Sequence, residues 1–283
     1  MVDAFVNVAY DKKNEDYDAT FYGMNFITTD YIDGVDNAPD RIRAISQAYS
    51  NDDGSHFPLK IYNPKRGYFL GNLKINDYGN VDLTNDSCCI GKPNFPVFVG
   101  SDHGATYYIL KQYAVDKEYV VLQFDAHGDY LGEYEKCMHG SVMKRINMLP
   151  NVKKIVHCGL RGNLNTGGGL RESVERGNAI ILKEDLDYNA IKNNINEGDN
   201  VYLTIDIDFF DPTVAPGTHH PEPNGIYYEY FRTLITKVFI EYNVIGFDIV
   251  EYAPQLDPSN ITGNMIVNLI LEMLGAKFNK DYL

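Results

Sequence analysis

The stretch VYLTIDIDFFDPTVAPGTHHPEPNGI, residues 201–226, decides how the rest of the chain is read. Val201, Tyr202, Leu203, Thr204 and Ile205 form an apolar, β-branched run that the turn formers Asp211-Pro212 and Pro216-Gly217 bring to a stop, which predicts a buried strand. Strand side chains alternate with period two, so Asp206 and Asp208 are expected on one face at the strand's end. Asp211 follows, where Pro212 forbids continuation. Two carboxylates side by side in an apolar setting repel and lose hydration, unless one is protonated or a cation sits between them. A metal is the simpler answer.

Two further stretches carry the same signature. In YVVLQFDAHGDY, residues 119–130, an apolar strand runs out into Asp125, His127 and Asp129 at alternate positions. In PVFVGSDHGATYYIL, residues 96–110, a short strand passes through Gly100 and Gly104 into an expected helix, with Asp102 and His103 at the turn. His103, Asp125, His127, Asp129, Asp206 and Asp208 together make an oxygen-rich site with two imidazoles. Its four carboxylates balance about two divalent cations. That ligand set suits manganese before zinc and leaves nickel or iron open. Two such ions about 3.5–4 Å apart activate water near neutral pH, so the chemistry implied is metal-assisted hydrolysis.

Around these stretches, strands are expected at 97–99, 120–124, 154–157, 179–182, 201–205 and 244–248, with helices between them at 104–115, 139–149, 169–176, 186–195, 225–241 and 260–274. An earlier strand is expected within ATFYGMNFIT and a helix in DNAPDRIRAISQAYS, opened by Asn37 and Pro39. This alternation predicts an α/β fold, a three-layer doubly wound sheet, mostly parallel, with its site at the carboxyl ends of the strands. Residues 50–95 carry little periodicity, and with no linker or repeat the expectation is one domain, 1–283.

The chain has 283 residues and a formal net charge of −14, which argues against a nucleic-acid partner. No apolar run approaches the roughly 20 residues of a membrane span, and the first residues lack an export signal, so a cytoplasmic location is expected. Cys88, Cys89, Cys137 and Cys158 form no CxxC pair and read as four reduced thiols. Gly167-Gly168-Gly169 lacks the ending of a phosphate loop and reads as a flexible turn before a helix. His219 and His220, beside prolines, read as loop residues at an entrance, and His56 and His157 as structural.

With GSDHG at 100–104, DAHGD at 125–129, His139-Gly140, DIDFFDPTVAPGTHHPEPNG at 206–225 and DIVEYAP at 248–254 in order, the chain resembles the ureohydrolase family of binuclear-manganese enzymes: arginase, agmatinase, guanidinobutyrase and formimidoylglutamase. The resemblance runs from about residue 39 to the end and implies an arginase-like fold. It implies that His103, Asp125, Asp129 and Asp206 bind one manganese and Asp125, His127, Asp206 and Asp208 the other, two Mn2+ per subunit with Ni2+ as the alternative. It further implies that His139 transfers protons at the pocket mouth, that Glu251 holds the substrate guanidinium, that Asp211 orients the cluster, and that subunits assemble as homotrimers or homohexamers.

In the arginases that the chain resembles, the segment after DAHxD carries Asn and Ser for the amino-acid head group and a later one often offers an acid for the α-amino group; here Tyr130–Met138 is short with neither Asn nor Ser, and the later segment has Gly162 and Asn163. The pattern therefore looks more like agmatinase, acting on the small cationic guanidino substrate agmatine to give putrescine and urea. Glu133, Glu135 and Glu222 read as solvated charges that could attract its ammonium. Guanidinobutyrate, guanidine, arginine and formimidoylglutamate remain as alternative substrates, a silent metal-binding guanidino sensor as an alternative function. A calcium scaffold fits poorly with two imidazoles.

Overall fold

The computed structural model describes residues 4–7, 9–10, 17–27, 37–49, 62–63, 67–68, 73–84, 90, 93–113, 116–132, 139–162, 165 and 167–278. In chain order its elements are β1 (Ala9–Tyr10), β2 (Ala19–Met24), α1 (Ala38–Ser46), β3 (Tyr62–Asn63), β4 (Gly67–Tyr68), β5 (Ile75–Asn80), β6 (Pro96–Gly100), α2 (Ala105–Gln112), β7 (Tyr119–Phe124) and α3 (Val142–Ile146). Then follow β8 (Val152–Leu160), α4 (Gly167–Glu175), β9 (Ala179–Leu182), α5 (Tyr188–Lys192), β10 (Asn200–Asp206), α6 (Tyr228–Glu241), β11 (Asn243–Val250) and α7 (Ile261–Phe278). Nine strands form one sheet in the order β1-β5-β2-β6-β11-β10-β7-β8-β9. Every pairing in it is parallel. The short β3 and β4 pair antiparallel apart from it.

Alternation along the central strands builds the three layers. Val97, Val99, Leu122, Phe124, Leu203 and Ile205 point into one apolar cluster with Ile42, Phe231, Ile235, Ile266 and Ile270 of α1, α6 and α7. Their sequence neighbours Phe98, Val121 and Tyr202 point to the other side, among Ile109, Val142 and Ile146 of α2 and α3. Being buried on both faces is why these strands read as continuous apolar runs. By length and composition α7, with mean hydropathy 1.2, is apolar enough to cross a membrane, but 61% of it is buried inside the fold, packed on α1 and α6. It is a core helix.

The strand the sequence hid is β5, INDYGN, which pairs between β1 and β2. It carries Asn76 and Asp77 fully buried. Asp77 is affordable there because buried Arg43 of α1 meets it with two bonds, Nε to Oδ2 at 2.8 Å and Nη2 to Oδ1 at 3.0 Å, while Phe5 N–H donates to the same Oδ2 at 2.7 Å. A carboxylate so deep is tolerated only when paired and hydrogen-bonded.

The sheet order sets the site. Strands β6, β11, β10 and β7 are neighbours. Their carboxyl ends deliver His103, Glu251, Asp206 and Asp125 side by side, the position where open parallel sheets place their ligands.

Candidate metal centre

Apart from Asp206, the last residue of β10, the ligand-type residues do not sit on strand faces as the period-two argument expects. Strand β10 ends at Asp206, and a 3-10 turn, Ile207–Phe209, then carries Asp208 round to the same place while Asp206 Oδ1 accepts the Asp208 N–H at 2.8 Å. Likewise β7 ends at Phe124, and the chain winds through a loop in which Asp129 takes a positive φ of 46°. A non-glycine residue held there stores strain that a ligand cluster can justify. Turn geometry, not pleat, gathers the carboxylates.

All six residues converge in two overlapping groups: His103, Asp125, Asp129 and Asp206, and Asp125, His127 and Asp208. Nδ1 of His103 lies 2.9 Å from Asp129 Oδ2, 3.2 Å from Asp125 Oδ2 and 3.4 Å from Asp206 Oδ2, yet it is buried without a hydrogen-bond partner. Nδ1 of His127 lies 2.8 Å from Asp208 Oδ2 and 3.7 Å from Asp125 Oδ1. The two oxygens of Asp125 thus face different groups, an arrangement suited to a carboxylate that bridges through both oxygens. An orphaned imidazole nitrogen ringed by carboxylate oxygens is a site that fits a cation, and the mix of oxygen with some nitrogen suits a first-row divalent metal.

The opposite edge of the His103 ring fixes its tautomer. Thr204 Oγ1 gives its proton to Asp248 Oδ1 at 2.6 Å, so His103 Nε2, 3.0 Å from that hydroxyl, must be the donor, leaving the Nδ1 lone pair aimed at the cluster. Tyr202 and Thr106 complete the bonds to Asp248 at 2.9 and 3.2 Å. On its outer edge, His127 Nε2 lies 3.6 Å from Glu222 Oε1. Glu222 is therefore not the solvated charge expected from sequence. Gly162, at φ +72°, leaves the room it occupies: a Cβ there would stand 2.3 Å from the Glu222 carboxyl carbon.

Electrostatics reports the same crowding. Burial opposes charge on His103, but the carboxylates of Asp125, Asp129 and Asp206 gathered around it raise its pKa well above 6.5. His127, partly desolvated but bonded to Asp208, is raised to about 10. Burial and neighbouring carboxylates push Asp125 up strongly and Asp206 to about 7, while bonding to His127 holds Asp208 low against burial. Without metal the cluster satisfies itself with protons, which cations would displace.

Glu251 is 4% exposed with a positive φ of 63°, and its Oε1 accepts the His103 N–H at 2.7 Å. Burial, then Asp206 and Asp102, raise its pKa well above 4.5. His139 opens a 3-10 turn before α3 and stacks on His220, ring centroids 5.7 Å apart at 28°. Both line a cavity of about 240 Å³ with His127, Asp129, Tyr130, Leu131 and Leu170. His220 is thus a wall of the pocket.

Other expectations resolve differently. Asp102 Oδ1 accepts the Gly104 N–H at 2.7 Å in the turn that leads into α2. Asp211 bonds Thr213 and Gly225 and closes its own loop. Gly167-Gly168-Gly169 is no flexible turn but the first turn of α4, where a Cβ on Gly169 would stand 2.0 Å from Tyr130 O. Cys158 is a buried free thiol. Cys88, Cys89, Cys137, His56, Glu133, Glu135 and Asn163 lie outside the described residues.

Sequence reasoning missed Arg161, Gln123, Thr204 and Asp248. Arg161 donates to the carbonyls of Asp208 at 2.6 Å, Phe209 at 3.2 Å, Glu222 at 2.9 Å and Pro223 at 3.1 Å, clamping the ligand turn to the loop beyond it. Asp248 carried a usable signal, an acid in the middle of the apolar run of β11.

This chain is 32% identical to the mitochondrial guanidino acid hydrolase of Homo sapiens over 288 residues, covering 93% of this chain and 79% of that one. It is 29% identical to the agmatinase of Bacillus subtilis, with 92% of each covered. In structure it is similar to proclavaminate amidino hydrolase from Streptomyces clavuligerus, with a TM-score of 0.79 at 22% identity over 98% of this chain and 97% of that one. Residues 17–275 match the Arginase family, and with the human relative so extensively aligned, the chain belongs to that family.

Proposed function

We propose that the protein is a binuclear-manganese ureohydrolase that cleaves agmatine to putrescine and urea. The observation carrying the hydrolase reading is the adjacency of the two overlapping ligand groups to a cavity that also holds His139. His103, Asp125, Asp129 and Asp206 would hold one cation and Asp125, His127, Asp206 and Asp208 the other. When bound, the pair supplies Lewis acidity and activates water.

The remaining work falls to the protein's own side chains. Glu251 offers a carboxylate in a desolvated place, where the planar N–H groups of a guanidinium make paired, charge-assisted bonds. A cation beside it favours its ionised form against the burial that raises its pKa. His139, in the cavity wall, is placed to pass a proton to the departing amine. Tyr130, Leu131 and Leu170 give the aliphatic stem an apolar bed and keep water from it.

A second reading, a guanidino acid as substrate, is favoured by one observation. Among the described residues, no carboxylate outside the ligand set lines the cavity, while the imidazoles of His139 and His220 do. The test is urea release by manganese-loaded protein from agmatine, guanidinobutyrate, arginine and guanidine, with Asp206→Asn as control. Urea from agmatine alone supports the first reading and urea from guanidinobutyrate alone the second. Silence with two metals bound defeats both and moves weight to formimino substrates or a sensor. A nickel-loaded parallel and a sedimentation measurement would settle the metal and the expected trimer or hexamer.

A further inference from the structure

Behind Asp125, away from the cavity, lies a chain of buried polar side chains that the reaction does not touch. Gln123 Nε2 donates to Asp125 Oδ2 at 2.7 Å and to the His127 carbonyl at 3.2 Å. His157 Nδ1 meets Gln123 Oε1 at 2.5 Å, and His157 Nε2 meets Ser173 Oγ at 2.8 Å. Asn178 Nδ2 then donates to that Oγ at 3.0 Å. Asp125, Gln123, His157 and Ser173 are all fully buried.

The direction of every proton in this chain is forced. The amide nitrogen of Gln123 faces two acceptors, a carboxylate and a carbonyl, so its oxygen must face His157. An amide oxygen only accepts, so His157 carries its proton on Nδ1 and Nε2 must receive the proton of Ser173. Ser173 in turn accepts from Asn178, whose own oxygen takes the Ile155 N–H at 2.8 Å. Four side chains in series therefore donate toward one carboxylate. Burial keeps His157 neutral, lowering its pKa to about 4, as this arrangement requires.

At the end of the chain the lone pairs are divided. Asp125 Oδ2 receives Gln123, and Asp125 Oδ1 receives the His127 N–H at 2.6 Å. Each oxygen has two lone pairs. One on each is thus occupied and one remains, Oδ2 toward the His103 group and Oδ1 toward the His127 group. A carboxylate free to rotate would not hold that division, and one hydrogen-bonded only at Oδ1 would be free to bind a single cation with both oxygens.

We propose that Gln123 and His157 are positioning residues of the metal centre, with Ser173 and Asn178 as their support: this donor chain locks the rotamer in which Asp125 presents one lone pair to each cation. Gln123 touches the carboxylate, and His157 acts through Gln123 by choosing which end of the amide faces it. The inference rests on the binuclear reading and is tested by manganese binding itself, independently of turnover.

Mn2+ titration by calorimetry, with melting of the metal-free protein alongside, would compare wild type, Gln123→Met, His157→Leu and His157→Gln. Outer partners of this kind typically matter roughly 10–100-fold in metal affinity. Gln123→Met and His157→Leu should lose that much at one or both sites, while His157→Gln, which keeps a donor toward Gln123, should stay near wild type. Melting of the metal-free variants separates this from simple destabilisation, because the affinity loss is expected in protein that is still folded at the titration temperature. If Gln123→Met does not fold, the two His157 variants decide. Folded variants that all bind manganese as wild type does would overturn the inference and leave the metal centre standing. Wild type that binds none would overturn both.

Discussion

The backbone N–H of His103 donates to Glu251 Oε1 at 2.7 Å, so the first residue of the centre in sequence and the last acid of the site are tied directly across 148 positions. Glu251→Gln keeps an acceptor for that N–H and removes only the charge. Metal content should therefore be unchanged while kcat/KM falls roughly 10²-fold or more, the scale of losing a charge-stabilising partner. Metal analysis beside steady-state kinetics checks it. Loss of metal in this variant would mean that the carboxylate belongs to the cation set.

Among the described residues the geometry gathers Asp125 with both groups, whereas Asp206, proposed as the second shared ligand, is gathered with the His103 group only. If the binuclear reading holds, Asp125→Asn should lose at least one equivalent of manganese together with all urea release, and manganese should raise its melting temperature less than that of wild type. Retention of two metals would count against the bridging assignment.

The stack of His220 on His139 belongs to the pocket rather than to the cluster. Ring pairs of this kind contribute about 0.5–1.5 kcal/mol. His220→Gly should therefore raise KM roughly 2- to 10-fold and leave metal binding intact, and its effect should differ between agmatine and guanidinobutyrate. An unchanged KM for every substrate would remove His220 from the pocket wall.

His157 is neutral in the fold, its pKa lowered by burial to about 4 from 6.5. Between those values the unfolded chain takes a proton that the folded one refuses, so stability present above about pH 6.5 is lost as the pH falls toward 4. The loss is of the order of 3 kcal/mol for a shift of this size. In metal-free protein, His157→Gln should melt below or near wild type at pH 7 and draw level with it or pass it at pH 4.5. Parallel melting curves at the two pH values would contradict this.

Gly169 and Gly168 are neighbours in α4 with opposite surroundings. A Cβ on Gly169 would stand 2.0 Å from Tyr130 O, and one on Gly168 meets nothing within 4 Å. Gly169→Ala should cost about 1–3 kcal/mol by forcing the backbone of the ligand loop, whereas Gly168→Ala should be neutral or add up to about 1 kcal/mol of helix stability. Thermal melts of the two variants give the comparison.

The parts of this molecule that could be read from its residues were those in which one property repeats. The central strands are apolar on both sides because both sides are covered, so Tyr119–Phe124, Asn200–Asp206 and Asn243–Val250 stood out. The six cluster residues were legible because ligand-type side chains at three abrupt strand ends have few other uses. The mode of their delivery was not, since a 3-10 turn at Ile207–Phe209 and a left-handed Asp129 leave the same spacing in the text as an extended strand. Strand β5 was illegible for a different reason. Asn76 and Asp77 look like loop residues until Arg43, 34 positions away, supplies the partner that lets them be buried. Gln123 was passed over, and His157 was read only as structural, for the same cause, being polar groups whose partners lie far apart in sequence.

The sheet order has a consequence in time. Ala126 and the carboxylate of Asp208, joined by a 3.0 Å hydrogen bond, are separated by 82 residues. At roughly 5–20 residues per second of synthesis, the ribosome makes the first four residues of the cluster several seconds before the last two, and Glu251 later still. During that interval His103 and Asp125 have no β10 or β11 beside them. The full ligand set therefore exists only once Asp208 has been made, and a nascent fragment ending before β10 carries four of the six ligand-type residues without the strand that brings Asp206 and Asp208 to them.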